Sequence, residues 1–397
     1  MRPPPPAHTE GMSTLRLGLI GIGNIGRHHA EYLLAGKVGR CELRAVCAPN
    51  PVKLEPWKER GLAVWTDAGA MMRSGTIDAV LIATPHYQHT SLGIEALEAG
   101  LHVMVEKPIS AHKADAERLL KCAAQHPKQI LAGMFQLRVE PRYTRIRELL
   151  ESGRLGKLQR VSWLITDWFR TDAYYSSGGW RATWRGEGGG VLLNQCLHNL
   201  DVLSWILGMP SSVRGFAQLG RWHNIEVEDQ VTAYLEWSHG ATGVFITSTG
   251  EAPGTNRLEL AGSKGRLVLE NNKLTFLENE TDALEWSRTA TVGFSKPAVT
   301  EHDLPFENHP APHAALMDNF VAAVLDGAPL IAPGADGMHS VELANSMVYS
   351  SILGQSIQMP LDGAAWEAEL QRRIRDSRFE KTVREVTTDD FAQSFRR

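Results

Sequence analysis

Leu15 to Ala30 reads LRLGLIGIGNIGRHHA. Apolar Leu17, Leu19 and Ile20 lead into Gly21-Ile22-Gly23-Asn24-Ile25-Gly26, and a helix-like pattern runs on from Ala30 to Leu34. Strand, glycine turn and helix in that order form the setting in which G-x-G-x-x-G points to a dinucleotide. Gly21 serves the tight turn. Gly23 admits a pyrophosphate close to the backbone, with Asn24 and Ile25 beside it, and Gly26 lets helix and strand pack closely. The helix N-terminus adds free N–H groups and partial positive charge. The competing reading is a tight turn with no ligand.

Working outward, Glu42–Cys47, Ile77–Ala83, His102–Val105 and Ile130–Phe135 read as further strands, the middle two nearly continuous in apolar residues. Leu92–Glu98 and Lys113–Ala124 have helical spacing between them. Continuous apolar strands alternating with amphipathic helices predict a parallel sheet covered on both faces. The pattern then changes. Leu158–Thr166, Gln230–Trp237, Thr242–Thr249, Arg257–Ala261 and Arg266–Glu270 alternate apolar and polar residues, which predicts a mostly antiparallel sheet with one open face. Helices are expected at Leu192–Leu207, Ala314–Leu325 and Ser340–Ile352, and hairpins and loops over Asn279–Asn308. The expected fold is α/β: a Rossmann doubly wound parallel sheet over 14–135, then an α+β unit over 136–397 with a large open sheet. Some helices of the second unit pack back on the first, and 1–13 is a flexible extension.

The chain's 397 residues suffice for two such cores. A net charge of −4 offers no basic excess for a phosphate backbone, which argues against nucleic acid as a partner. Cys41, Cys47, Cys122 and Cys196 are scattered, as free thiols are, without metal or disulfide spacing. The opening MRPPPPAHTEGM has no apolar core for a signal peptide, and no window reaches an uncharged span of membrane length. A cytoplasmic protein is expected.

Four places could carry chemistry. Glu106-Lys107-Pro108 follows the strand His102–Val105, at the strand end where doubly wound folds bind ligands. A lysine there can stabilise charge on a substrate oxygen, or it can be an ordinary surface lysine. Thr84-Pro85-His86-Tyr87-Gln88-His89 ends another strand, so Thr84, Pro85, His86 and His89 are candidates to touch a cofactor, against the reading of exposed loop histidines. In Glu187–Asp201 (EGGGVLLNQCLHNLD), Asn194, His198 and Asp201 fall at helical intervals on one face. Histidine suits proton transfer near neutral pH, although His198 could equally pack inside a helix, paired with Asp201. Last, Trp163–Trp184 is dense in aromatics interleaved with Arg170, Asp172 and Arg181. Trp163 reads as core; Trp168, Phe169, Tyr174, Tyr175, Trp180 and Trp184 lie in a loop where either sugar contact or simple packing accounts for them. His309 and His313 lack the further ligands that a metal needs, so no metal is expected.

GIGNIG, ATPHYQH, EKP and GGGVLLNQCLHNLD, in that order, resemble the Gfo/Idh/MocA oxidoreductases, which include glucose–fructose oxidoreductase and inositol dehydrogenases. The likeness runs from Leu15 to about Pro360. It implies catalytic roles for Lys107 and His198, hydride transfer between a ring hydroxyl and a nicotinamide dinucleotide, and assembly as a homodimer or homotetramer through the open sheet face. His198 would be the base and Lys107 the polarising group. On the same footing Gln136, Arg138, Trp168, Arg170, Tyr174, Tyr175 and Trp180 are expected at the substrate, with Glu106 and Lys107 also near the cofactor. Two positions depart from the family. Asn194 stands where many members have Asp, so a role in hydrogen bonding to substrate or in holding His198 is expected of it. At the end of the second strand, Ala48 occupies the region where an acidic residue would grip the ribose 2′-OH of NAD. NAD is expected because that turn has no basic pair, with Lys53 leaving NADP open.

The expected function is oxidation or reduction of a sugar, glycoside or cyclitol at a secondary ring hydroxyl. Two other readings stay open. One is NAD-dependent glycoside cleavage by transient oxidation and elimination; the other is a non-catalytic nucleotide sensor, which would need neither Lys107 nor His198.

Overall fold

A computed structural model describes residues 13–384, so the extension expected over 1–13 lies, except for its last residue, outside the described residues. The first sheet holds β1 (Leu15–Ile20), β2 (Cys41–Cys47), β3 (Ala63–Trp65), β4 (Ala79–Ile82), β5 (His102–Val105) and β6 (Leu131–Gly133). They pair in parallel in the order β3-β2-β1-β4-β5-β6. The chain connects them through α1 (Asn24–Leu34), α2 (Glu55–Lys58), α3 (Ala68–Met72), α4 (Tyr87–Glu98) and α5 (Lys113–Gln125). The order reverses between β1 and β4, which opens a crevice at their C-terminal ends.

Both faces of this sheet are dry, which is why its strands are apolar without alternation. Leu17, Leu19, Leu81 and Met104 belong to a core shared with Ala30 and Leu33 of α1. Ile20, Val80, Ile82, Val103 and Val105 point the other way, onto Met71, Met72, Ala96, Leu97 and Leu119 of α3, α4 and α5. Each such aliphatic side chain, fully buried, contributes about 1.5–3 kcal/mol over its exposed state.

The second sheet comprises β7 (Leu158–Ile165), β8 (Ser212–Leu219), β9 (Glu228–Glu236), β10 (Thr242–Ser248), β11 (Asn256–Gly262), β12 (Gly265–Glu270), β13 (Lys273–Asn279), β14 (Val299–Asp303) and β15 (Ile357–Gln358). All its pairs are antiparallel except β7 with β10. Val161, Trp163 and Ile165 of β7, Val231, Ala233 and Leu235 of β9, and Phe245 of β10 face inward. Phe216 and Tyr234 stand on the opposite face, exposed. The helices are α6 (Pro141–Glu151), α7 (Asp172–Ser176), α8 (Leu197–Leu207), α9 (Ala283–Thr289), α10 (Pro312–Asp326), α11 (Gly334–Leu353) and α12 (Gly363–Asp376). The α11 helix lies against β8 and α8 and reaches back to α5 and β6, while α10 packs on α1. The chain thus has the α/β class expected, with an open sheet after a Rossmann sheet.

Two expectations need correction. The helix expected from Leu192 begins only at Leu197. Buried Glu228 explains the delay: its carboxylate accepts the N–H groups of Gly190 and Leu192, and its carbonyl accepts that of Val191. The chain therefore wraps this acid before it turns helical. In Asn279–Asn308, expected as hairpins and loops, α9 forms behind an Asp282 cap and β14 pairs with β13. No helix of the described residues is long and apolar enough to cross a membrane.

Candidate active site

The glycine turn has a shape that fits a dinucleotide. Gly21 has φ +99°, and a Cβ there would sit 2.4 Å from the carbonyl oxygen of Ala83. A Cβ on Gly26 would lie 1.9 Å from the Gly21 oxygen, so α1 can cross β1 only over a glycine. At Gly23, by contrast, a Cβ would meet nothing within 4 Å: the backbone is bare on the side where phosphates would approach. The N-terminus of α1 has no side-chain cap, and Asn24 turns its carbonyl to Arg27. Ile25 is half-buried over the core. At the end of β4, Thr84 leaves its buried hydroxyl without a partner among the described residues. Ala48 is buried at the end of β2, and Asn50 beyond it caps the turn Pro51–Lys53. Uncapped helix, bare Gly23 and orphaned Thr84 hydroxyl together suit a nicotinamide dinucleotide.

Lys107 leaves the end of β5 through a cis peptide to Pro108. Its ammonium donates to the main-chain oxygen of Asn194 at 2.9 Å. The side chain is partly buried, and burial lowers its pKa. Asn194 sits in the turn before α8, and His198 lies in the first turn of that helix, 8% exposed. Burial first, and the nearby Lys107 charge second, push His198 down to about 3. Its Nε2 meets the Gln136 amide nitrogen at 3.2 Å, while its Nδ1 and the Gln136 Oε1 are buried without partners among the described residues. The amine, just past β5, and the imidazole, in α8, therefore lie near enough for the Lys107 charge to act on His198. Asn194 is half-buried beside them and donates its amide to Glu187.

Other candidates are placed differently. Asp201 does not pair with His198. It forms a buried ion pair with Arg138, whose guanidinium donates twice to it and once more to Asp336. Arg138 is 2% exposed with its donors so engaged, and the expectation of substrate contact is corrected accordingly: it ties the 136–139 turn to α8. His89 spans the Thr84 and Pro108 carbonyls through its two ring nitrogens, a strut between the ends of β4 and β5 and not an exposed loop histidine. His86 is buried too, bonding the Glu187 carbonyl and lying edge-on to Trp180 at 5.6 Å. Pro85 begins the turn into α4, its carbonyl accepting the Gln88 N–H.

Glu106 has one carboxylate oxygen on His29 Nε2 at 2.7 Å and the other on the Lys107 N–H. Burial pushes the acid up, but His29, with His313 and Lys107, outweighs it and holds Glu106 at about 2. His29 also meets the Tyr32 hydroxyl, and His28 and His313 pack against each other nearby. The motif reading missed His29 because its partner is 77 residues away.

In the aromatic loop, Arg170 stacks on Trp168 and Tyr174, and Arg181 on Tyr174 and Trp180. The Tyr174 hydroxyl accepts from Arg181 and from Gln195, next to Asn194. These rings form a rim beside the Lys107–His198 pair. Tyr175 turns inward instead, 5% exposed and bonded to Thr249, which removes it from the set expected at the substrate. Trp163 and Trp184 are buried as well. A depression of about 220 Å³ lies elsewhere, on the outward sheet face by Trp222, Ile246 and Glu251. Among the described residues, one cluster could group metal ligands (His112, Asp115 and Glu367), but Arg118 already bridges its two carboxylates.

Comparison with known proteins agrees with this architecture. Residues 15–134 match the model of an oxidoreductase family with an NAD-binding Rossmann fold, and 143–268 match the Gfo/Idh/MocA C-terminal domain. The chain is similar to inositol 2-dehydrogenase of Rhizobium meliloti (strain 1021), at 28% identity over 85% of this chain and 97% of that protein. It is 26% identical to scyllo-inositol 2-dehydrogenase (NAD(+)) of Bacillus subtilis (strain 168), over 64% of this chain and 76% of the relative. The WlbA dehydrogenase from Chromobacterium violaceum, solved with NADH and UDP-GlcNAcA, superposes with a TM-score of 0.75 at 27% identity. That match covers 91% of this chain and all of the other. With its glycine turn built for NAD and its two sheets in this order, the chain belongs to the Gfo/Idh/MocA family of NAD-binding oxidoreductases.

Proposed function

We propose that this chain transfers a hydride between a secondary ring hydroxyl of a sugar, glycoside or cyclitol and NAD. The observation that carries the reading is the convergence of Lys107 from the end of β5 and His198 from the first turn of α8, joined through Asn194. The inositol dehydrogenases among its relatives favour a cyclitol or sugar over a small hydroxy acid. The Tyr174–Trp180 rim, with flat faces and interleaved arginines, suits a ring with apolar C–H faces and a hydroxyl edge.

When bound, NAD supplies the hydride acceptor. This chain's residues do the rest. Gly23 and the α1 N-terminus hold the phosphates; Thr84 and His86 line the strand end beside them. Lys107 keeps further N–H donors for the substrate oxygen and stabilises the negative charge that builds there. His198 is neutral at rest, and its Nε2 exchanges the long Gln136 contact for the substrate hydroxyl and takes the proton. Loss of the proton to His198 leaves an alkoxide beside Lys107, and departure of the hydride from its carbon turns that alkoxide into a neutral carbonyl. Residues 14–135 carry the cofactor and 136–397 the substrate wall. A second copy covers the open sheet face around Phe216 and Tyr234, giving a homodimer or homotetramer.

A panel of inositols and pyranosides, offered with NAD and with NADP and followed by the absorbance of reduced nicotinamide, tests the reading. Turnover with NAD on a ring polyol is expected. Release of free sugar or aglycone with no net NADH would replace it with cleavage, and silence across the panel would overturn it.

A further inference from the structure

Glu187 takes no part in the steps above, yet it is 2% exposed and lies against the site. One oxygen of its carboxylate accepts the Asn194 amide and the other accepts the Ala182 N–H. In its ionised form the carboxylate only accepts. The NH2 edge of Asn194 must therefore face Glu187, which leaves Oδ1 turned away from it. Among the described residues Oδ1 has no hydrogen-bond partner, and Asn194 is only partly buried, beside the Lys107 ammonium bound to its own main-chain oxygen.

We propose that Glu187 is a positioning residue that locks the Asn194 side chain with its carbonyl oxygen toward the substrate, as a fixed acceptor for a substrate hydroxyl. This rests on the reaction proposed above. It also explains how an amide serves next to Lys107. Free to rotate, Asn194 would present NH2 or C=O with similar ease; tied to a buried acid, it presents C=O alone. Keeping the acid buried costs free energy, and burial raises the Glu187 pKa against the opposing pull of Arg181 and Lys107. Among the described residues, Lys381 and Glu228 also act on it.

The test is a cycle of Glu187→Gln, Asn194→Asp and the double variant, read by kcat and KM on the best polyol of the panel. Thermal unfolding against pH, without substrate, is the second readout. In Glu187→Gln the new amide keeps its oxygen on the immovable Ala182 N–H and turns NH2 toward Asn194. Asn194 then flips, the acceptor is lost, and kcat/KM falls at least about tenfold, chiefly through KM. Asn194→Asp alone sets two carboxylates against each other, so the unfolding midpoint and activity both fall as pH rises. In the double variant the amide at position 187 donates to the acid at position 194, the acceptor returns, and most of the lost kcat/KM and the flat pH response return with it. A merely structural Glu187 predicts losses that multiply, with no rescue. Multiplying losses, or an unchanged kcat/KM in Glu187→Gln, overturn this inference while turnover by the wild-type enzyme keeps the reaction standing. If the wild type turns over no polyol, the reaction itself falls and takes the substrate role of Asn194 with it. The substrate-free unfolding cycle then shows whether Glu187 still orients position 194.

Discussion

Lys107 and Asn194 are joined by a 2.9 Å hydrogen bond from ammonium to main-chain carbonyl, between positions 87 residues apart. That bond ties the end of β5 to the turn before α8, and the proposed chemistry sits at the junction. The lysine is held by a main-chain atom, so substitution of the Asn194 side chain leaves the tether in place.

Lys107→Met removes both the tether and the charge that stabilises a forming alkoxide. The loss expected in kcat is about 10²–10⁴-fold. NADH affinity, followed by fluorescence titration, should change little, because Gly23 and α1 hold the dinucleotide. A collapse of both quantities would mean that Lys107 holds the end of β5 to the turn before α8 and does no chemistry.

His198 is held near 3 against an ordinary value of 6.5, so the unfolded chain binds a proton more readily than the folded one between those values. Stability contributed this way is present above about 6.5 and is lost as pH falls toward 3. Between 4.5 and 6.5 buried Glu228, pushed up to about 7, pulls the slope the opposite way, so the histidine contribution is read as the difference between variant and wild type. His198→Asn should therefore reduce the slope of unfolding free energy against pH in that window, by at most one proton's worth. Buried His86 and His313 keep part of the slope in the variant. An unaltered slope would show that His198 titrates normally.

Arg138→Met leaves Asp201 as a buried charge without its cation. The expected cost is about 3–5 kcal/mol of unfolding free energy in a denaturant titration, and Asp201→Leu in the same chain should recover most of it. If Arg138→Met instead spared stability and raised only the KM for the polyol, the arginine would be a substrate ligand after all.

Gly23→Ala and Gly26→Ala separate the two jobs of the glycine turn. The methyl group at 23 enters open space, so the fold should persist while NADH binding weakens. At 26 it collides with the Gly21 carbonyl, and unfolding at a lower temperature is expected. Equal effects of the two changes on melting temperature would sink the assignment of Gly23 to the phosphates.

The β1 turn, the dry strands β4 and β5 and the alternation in β9 and β10 were legible along the chain, because each is a periodicity set by neighbours a few residues away. So were Lys107 and His198 as candidates, from the strand end and from the family likeness. Pairings over long separations could not be read there. Arg138 meets Asp201 across 63 residues, and His29 meets Glu106 across 77. No local pattern tells a buried ion pair from a ligand contact. The start of α8 was hidden for the same reason: the acid that captures the preceding N–H groups, Glu228, comes 38 residues after Gly190. Local order thus made the elements and put reactive residues at their ends. Folding alone chose which face water, which bind each other and which stay free, because burial and hydrogen-bond partners are decided by whatever the distant chain brings alongside.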